Sequence, residues 1–326
     1  MWASRASILD YGNVNAPLNN ADPTSAPFYN NQYIGINGVD TTSPTTPVGV
    51  GAGTLLITES RAMMNYNAMQ AILRQRINHG LEFTVNYTYG KAMTNSLGNY
   101  SLNVSGYSGA FQDYYNSAAD YGPAGYDVKH NVSGTAVYAV PVGRGQEFLS
   151  GSSRVMDEVV GGWKLSASVV GYSGFPESIT GPNNNSQSIS GVFRVNQYRK
   201  LKVVGRSNAN WFGTDPSAKP CEAYGKTDPN WGTCAFGVPA PNAFGTESNG
   251  AVRGPGYFNS DISAFKDFHT FREQTIGFRF DAFNAFNIVS YGNPDTGITD
   301  TNFGNVSLQG PRSQERHLQF SARYAF

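Results

Sequence analysis

The feature that most constrains the fold of this chain is a regular alternation of apolar and polar residues. Its clearest stretch runs from Leu81 to Gly90, where every second residue is apolar and each residue between them is polar or glycine. Successive side chains of a β-strand point to opposite faces, so residues two apart share a face. The pattern therefore predicts a β-strand with one apolar and one polar face along its whole length.

The same alternation recurs in six further segments, and together they predict an all-β protein built from about seven long strands. These segments are 65–78, 128–141, 160–176, 257–269, 274–290 and 315–326. Residues 66–77 contain good helix formers and also fit a helix. A strand is favoured there because the next strand begins after only Asn78, His79 and Gly80.

The connectors between these segments alternate in length. Residues 79–80 and 270–273 are short, 142–159 is intermediate, and three long polar loops cover 95–127, 177–256 and 291–314. Short turns at one end and long loops at the other are typical of outer-membrane β-barrels, whose turns are periplasmic and whose loops are extracellular. A soluble β-sandwich also has unequal loops, but it has less reason to sort them by position.

The composition further limits the class of protein to which the chain can belong. Only 14% of the 326 residues are charged, compared with about 25% in a typical soluble domain. The 23 basic and 23 acidic residues balance, which argues against nucleic acid as a partner. No stretch reaches the roughly 18 apolar residues of a transmembrane helix. The first residues lack the features of a secretory signal, so we expect either a cytoplasmic protein or a fragment.

The two cysteines, Cys221 and Cys234, are separated by twelve residues within the longest loop. A single cysteine pair that closes one loop favours a disulfide in an oxidising compartment, with two free thiols as the alternative. A metal site would need two more ligands, and no histidine lies between residues 131 and 268.

The search for catalytic motifs predicts no enzyme and no cofactor. Ser263-Ala-Phe-Lys266 matches a Ser-x-x-Lys pattern, but residues three apart on a strand point to opposite faces. Two polar groups in the loops have binding and non-binding interpretations. The first group is a basic cluster in the longest loop: Arg194, Arg199, Lys200, Lys202 and Arg206. It could contact lipopolysaccharide or an anionic substrate, or it could be a solvated hairpin without a binding role. The second group is Asp295, Asp300 and Asn302. Their oxygen atoms could bind calcium, but a polar turn is the favoured interpretation.

Four passages of the chain resemble a known family. They are Asn65-Tyr-Asn-Ala-Met-Gln-Ala with 76–91, Asp127-Val-Lys-His-Asn-Val-Ser-Gly with Gly161-Gly-Trp-Lys-Leu-Ser, Arg253-Gly-Pro-Gly-Tyr-Phe-Asn-Ser-Asp-Ile-Ser-Ala-Phe-Lys, and Phe280-Asp-Ala-Phe-Asn-Ala-Phe-Asn with Asn302-Phe-Gly and Gly310-Pro-Arg. The family is the TonB-dependent outer-membrane transporters, specifically the Oar-like group that has a carboxypeptidase-regulatory-like N-terminal domain. The order of the four passages across residues 65–326 carries the resemblance.

The resemblance implies a place for this chain within a larger protein. Residues 1–326 would be the C-terminal part of an outer-membrane barrel that usually has 22 strands, with 1–64 mainly an extracellular loop that follows the tail of a preceding strand. The plug and the N-terminal domain would be absent. The implied function is energised uptake of a bulky solute across the outer membrane of a Gram-negative bacterium. The implied partners are membrane lipid and lipopolysaccharide, the barrel-assembly machinery, the solute, and TonB through the missing plug.

The two faces of the predicted strands then receive roles. Polar residues expected to face the lumen and the plug are Arg74, Arg76, Glu82, Lys164, Arg279, Asp281 and Arg323. Aromatic residues expected to face lipid or to form interfacial girdles are Phe83, Tyr87, Tyr89, Tyr138, Trp163, Phe278, Phe280, Phe320 and Tyr324. Tyr324 and the terminal Phe326 are the expected assembly signal.

Two other functions fit the same pattern. A secreted soluble β-sandwich that binds carbohydrate would use the rings as core or as a sugar-stacking face. A passive porin would use a barrel of fewer strands.

Overall fold

The computed structural model describes residues 2–13, 56–78, 80–95, 112–113, 115–184, 193–270, 274–307 and 315–326. Within them, eight long strands form one sheet. The strands are β1 (Trp2–Asn13), β2 (Leu56–Asn78), β3 (Leu81–Thr94), β4 (His130–Ala139), β5 (Lys164–Tyr172), β6 (Tyr257–His269), β7 (Thr275–Phe283) and β8 (His317–Ala325). Each strand pairs antiparallel with the next in chain order. The predicted all-β antiparallel fold is confirmed.

All seven predicted segments contain a strand, although their bounds differ. Strand β2 confirms that residues 66–77 are extended rather than helical. Strand β7 ends at Phe283, earlier than predicted, because Asn284 has a φ of 47° and turns the chain. The eighth strand, β1, lies where the tail of a preceding strand was expected. Residues 14–55, most of the loop predicted after it, lie outside the described residues.

The short connectors lie together at one end of the sheet, here called the turn end. Gly80 makes the β2–β3 turn with a φ of 77°, and its carbonyl accepts from Ala139 N–H at the end of β4 (2.8 Å). Thr270 N–H donates to Gln274 O (2.9 Å) between β6 and β7. The β4–β5 connector contains a helix that the sequence did not predict, α1 (Arg154–Val160), whose N-cap Ser153 accepts from Met156 N–H. Among the described residues, no helix has the length and apolarity needed to cross a membrane.

The long loops pack together at the opposite end of the sheet. We call residues 112–127, 173–184, 193–256 and 284–307, where described, the loop layer. Its short elements are Gly122–Pro123, Pro176–Glu177 paired with Val252–Arg253, Asn196–Gln197 paired with Phe236–Gly237, and the 3-10 turns Ser117–Asp120, Pro216–Ala218 and Cys221–Ala223. Its core is made of Ile179, Val195, Phe212, Ala218, Ala235, Phe236, Val252 and Ile298. The loops are therefore a packed layer with a hydrophobic core of their own.

Candidate functional site: the sheet faces and the loop layer

One face of the sheet, which we call the polar face, carries the residues predicted to line the lumen. The ladder from β2 to β8 aligns Arg74 with Thr84, Val137 with Ser166, and Arg279 with Ser321. Every second residue of a strand shares a face, and residues paired across neighbouring strands do so too. The register therefore places six predicted residues on the polar face: Arg74, Glu82, Lys164, Arg279, Asp281 and Arg323. Arg76 lies in the register irregularity between Gln75 and Asn78, and alternation from Arg74 puts it on the same face.

These polar residues are spread along the sheet, and only Arg279 and Asp281 meet. Arg279 Nε donates to both carboxylate oxygens of Asp281 (2.8 and 3.0 Å), and its Nη2 donates to Ser263 Oγ (3.2 Å). Ser263 Oγ in turn donates to Asp281 Oδ1. The Asp281 side chain is nearly buried within this network, while Arg279 is about half exposed. The network holds one guanidinium in a fixed position on the polar face.

The opposite face, which we call the apolar face, carries the predicted lipid-facing rings. The strand register places eight of these rings on the apolar face: Phe83, Tyr87, Tyr89, Tyr138, Phe278, Phe280, Phe320 and Tyr324. Phe320 is 79% exposed and packs against Phe280, with ring centroids 4.8 Å apart. The remaining ring, Trp163, precedes β5 and donates from Nε1 to Val159 O of α1 (2.9 Å). The terminal Phe326 is 97% exposed, 5.9 Å from the ring of Tyr324.

The Ser-x-x-Lys pattern is split between the two faces, as the strand argument requires. Ser263 belongs to the polar-face network, whereas Lys266 lies on the apolar face between Ala264 and Phe268. There its Nζ lies 4.5 Å from the centre of the Phe268 ring and donates to Glu158 O in α1. Lys266 is only 5% exposed, so the one lysine on the apolar face of β6 is covered by the connector helix.

Two of the passages that carry the family resemblance meet in an ion pair at the base of the loop layer. The Asp127 carboxylate, which is 1% exposed, pairs with Arg253 Nη2 and accepts from Ala92 N–H at the end of β3 (2.6 Å). Arg253 Nη1 also donates to the carbonyls of Asp127 (3.2 Å) and Gly174 (3.0 Å). Arg253 thereby joins both ends of the β5–β6 connector to the β3–β4 loop, which Asp127 fixes to the sheet.

A second buried cluster lies deeper in the loop layer around Arg194. Its guanidinium pairs with Asp120 and donates to Asn249 Oδ1 (3.3 Å). Burial raises the pKa of Asp120 to about 6, which outweighs the opposing effect of Arg194. Glu247 is fully buried and accepts from Ile179 N–H (2.9 Å), and burial raises its pKa to about 8 despite Arg194. Burial therefore favours the protonated form of both carboxyl groups, and more strongly for Glu247.

Of the proposed basic cluster of the longest loop, Arg194 is buried, while Arg199, Lys200, Lys202 and Arg206 are exposed. Arg194 is buried as described, Arg206 lies over the Trp211 ring (4.1 Å from its centre), and Lys202 is 3.5 Å from Asp215. Arg199 Nη2 donates to Gly232 O. The interpretation as a solvated hairpin is wrong for Arg194, because its partner Asp120 lies 74 residues away in sequence and gives no local signal.

The other candidate residues of the loops, the two cysteines and the two aspartates, form a disulfide and a tight turn. Cys221 and Cys234 are joined in a disulfide. Asp295 and Asp300 lie in a tight turn where Asp295 Oδ1 accepts from Gly297 N–H (2.9 Å) and Phe303 N–H donates to Asp300 O (3.1 Å). Across the described part of the chain, no group of three or more histidine, cysteine, aspartate or glutamate side chains is placed to hold a metal ion.

A sheet with one apolar and one polar face, short turns at one end and long loops at the other, defines the wall of a membrane β-barrel. The family model described as an outer membrane beta barrel domain matches residues 5–319. The chain therefore belongs to this family and is an outer-membrane β-barrel protein. No curated protein matches it. Membership of this family, together with the one sheet that holds all eight long strands of the described residues, argues against the soluble sandwich that the sequence left open.

Proposed function

We propose that this chain is the C-terminal part of the barrel of a TonB-dependent, Oar-like outer-membrane transporter that takes up a bulky solute. The observation that carries the proposal is the asymmetry between the two ends of the sheet. One end has short connectors, while the other bears a loop layer with its own core, its own disulfide and two buried charge clusters. A loop layer packed in this way suits selective capture of a solute better than free diffusion.

The proposal gives each face a task. The polar face would line the lumen and contact the plug through arginines such as Arg279, which is held in place by Asp281. The apolar face would contact lipid, and the rings of Tyr324 and Phe326 would present the assembly signal. The loop layer would lie outside the cell, where a disulfide is stable and lipopolysaccharide surrounds it. No covalent chemistry is part of this function.

First contact with the solute is assigned to the exposed rings of the loop layer. Tyr198 is 58% exposed and Trp231 is 52% exposed. Arg199, next to Tyr198, donates to the carbonyl of Gly232, next to Trp231, so the two loop segments that carry these rings are joined. Rings stack on apolar and sugar surfaces alike, so these residues serve a bulky solute of either kind.

Uptake by the full-length transporter in its own host tests the proposal. Deletion of the gene should abolish uptake of some members of a panel of oligosaccharides, peptides and metal chelates, and deletion of TonB should abolish uptake of the same members. The double variant Tyr198→Ala and Trp231→Ala should reduce their uptake. Phe148→Ala, which removes a ring of similar exposure (57%) in the turn-end connector, is the matched control and should leave uptake unchanged.

A passive porin is the alternative, and the same experiment separates the two. A passive channel would keep its uptake in the absence of TonB, and that result would overturn the proposal. If uptake needs TonB but is unaffected by the loss of both rings, or by exchange of the whole loop 177–256, then energised transport stands and the capture role of the loop layer is wrong.

A further inference from the structure

Helix α1 turns an apolar arc outward, and on its other arc Asp157 faces the connector while Arg154 and Glu158 are exposed. At about 100° per residue, Val155, Met156 and Val159 share one arc of the helix, and Arg154, Asp157 and Glu158 share the other. The three apolar side chains are 78%, 51% and 62% exposed. A helix on the surface of a water-soluble domain has the reverse arrangement, so the outward side of α1 requires an apolar neighbour.

One residue of the polar arc, Asp157, fixes α1 to its connector. Asp157 Oδ1 accepts from Arg144 N–H (2.6 Å). Asp157 also lies against Gly143 and Gly161, where a Cβ would come within 2.3 and 2.5 Å of the same oxygen. Neither glycine can be replaced without displacing Asp157. The orientation of the helix is therefore set by these contacts, and the exposure of its apolar arc is a consequence of them.

The C-terminal end of α1 is held by two residues of the sheet's apolar side. Helix termini leave carbonyls without intrahelical partners. Here Trp163 Nε1 donates to the carbonyl of Val159, and Lys266 Nζ donates to that of Glu158. Lys266 projects from the apolar face of β6, near the turn end, beside the ring of Phe268. Helix α1 is thus continuous with the apolar face at its turn end.

We propose that α1 is an interfacial helix of the outer membrane, with Val155, Met156 and Val159 immersed in the boundary between headgroups and acyl chains of the leaflet nearest the short turns. The occupant of its apolar arc is phospholipid. Amphipathic helices bind such boundaries with their apolar face buried, and tryptophan is enriched at the same depth. By covering Lys266, the helix also keeps an ammonium group on the apolar face out of contact with acyl chains. This inference rests on the orientation of the apolar face toward lipid in the proposed function.

Fluorescence quenching of single bimane labels on the full chain in phospholipid vesicles tests the inference. The variants are V155C, V159C, R154C as the control on the polar arc, and F320C as the reference for the apolar face of the sheet. Phospholipid brominated on the acyl chain should quench V155C and V159C about as strongly as F320C, and R154C at least roughly twofold less. Aqueous iodide should give the opposite order.

The reference variant F320C distinguishes failure of the interfacial-helix inference from failure of the proposed function. If F320C is quenched by bromolipid but V155C and V159C are quenched by iodide, the face assignment stands and the interfacial helix is wrong. If F320C itself is quenched by iodide, the lipid orientation in the proposed function fails. If neither quencher reaches V155C and V159C, protein covers the helix, and the inference is again overturned.

A measurement on the unaltered chain guards against variants that do not fold. A phospholipid with a photoactivated diazirine on its acyl chain should label the peptide that contains residues 154–160, as identified by mass spectrometry. Labelling confined to the strands, with none on that peptide, would contradict the inference.

Discussion

Arg253 and Asp127 are 126 residues apart in sequence, yet their ion pair fixes the loop layer to the end of β3. Two passages that are weak sequence signals separately become one structural unit when Asp127 accepts from both Arg253 and Ala92. The residues themselves are visible in the sequence. Their pairing cannot be predicted from the sequence, because two residues this far apart produce no local periodic pattern or characteristic spacing.

Loss of the Asp127 carboxylate should destabilise the loop layer. Asp127→Ala leaves Arg253 without its charge partner and Ala92 N–H without its acceptor, and breaking a buried pair costs about 3–5 kcal/mol. Because Arg253 is about a third exposed, the lower end of that range is expected. Urea unfolding in detergent, followed by tryptophan fluorescence, measures the change.

The pair of the exposed Lys202 with Asp215 supplies the control. Lys202→Ala should cost no more than about 1 kcal/mol. Equal losses for the two variants would show that the Asp127 pair does not anchor the loops.

Glu247 should make the loop layer progressively less stable as the pH rises from about 4.5 to about 8. Its pKa is about 8 in the folded chain, compared with an ordinary value of 4.5. Between these values the folded state holds a proton that the unfolded state has released, so stability falls as pH rises through this window. Glu247→Gln should remove a slope of up to about 1.4 kcal/mol per pH unit. Urea midpoints measured across the window test this.

Glu315→Gln, at an exposed position, is the matched control and should preserve the slope of the native chain. The idea fails if Glu247→Gln and the native chain lose stability in parallel as the pH rises.

Strands are the elements that the sequence predicts best, because a period of two is a local property that every strand displays. The elements that it missed lack such a signal. Helix α1 has only seven residues, which is too short for a helical period to be distinguished. The core of the loop layer joins Ile179, Phe212 and Ile298 from separate loops with no common spacing. The sequence therefore predicts the wall and the unequal connectors, but not the packing of the loops.

The disulfide should stabilise one loop and leave the sheet intact. Cys221 and Cys234 are 13 residues apart, and a cross-link of that span contributes about 2–3 kcal/mol. The double variant with serine at both positions should expose residues near 221–234 to proteases while the heat-modifiable migration typical of a folded barrel is kept. Loss of that migration would show that the loop supports the sheet as well. Peptide mass spectrometry without reduction verifies the bond in the native chain.

Neighbouring positions on β8 should respond oppositely to a charge. Phe320→Arg places a guanidinium on the apolar face and should cost about 2–4 kcal/mol near the membrane midplane. Gln319→Arg points to the polar face, opposite Asp281, and should be nearly neutral. Folding titrations into phospholipid vesicles compare the two. A larger cost for Gln319→Arg would invert the assignment of the faces.

At the scale of the whole molecule, the eight strands form a sheet from β1 to β8, and no ladder joins those two strands within the described residues. In lipid, each backbone N–H and C=O needs a partner, which only a closed barrel supplies to strands. The proposed larger barrel meets this need by placing further strands beside these edges. The low proportion of charge then has a physical reason, because one face of the wall contacts acyl chains.

The most direct test of the membrane-wall account is a spin-label scan along β7, one cysteine at a time from Thr275 to Phe283, in phospholipid vesicles. The account predicts an alternation with a period of two. Positions 276, 278, 280 and 282 should be accessible to oxygen dissolved in lipid, and positions 275, 277, 279 and 281 to a water-soluble nickel complex. A uniform profile, or an alternation with the two sets exchanged, would contradict it.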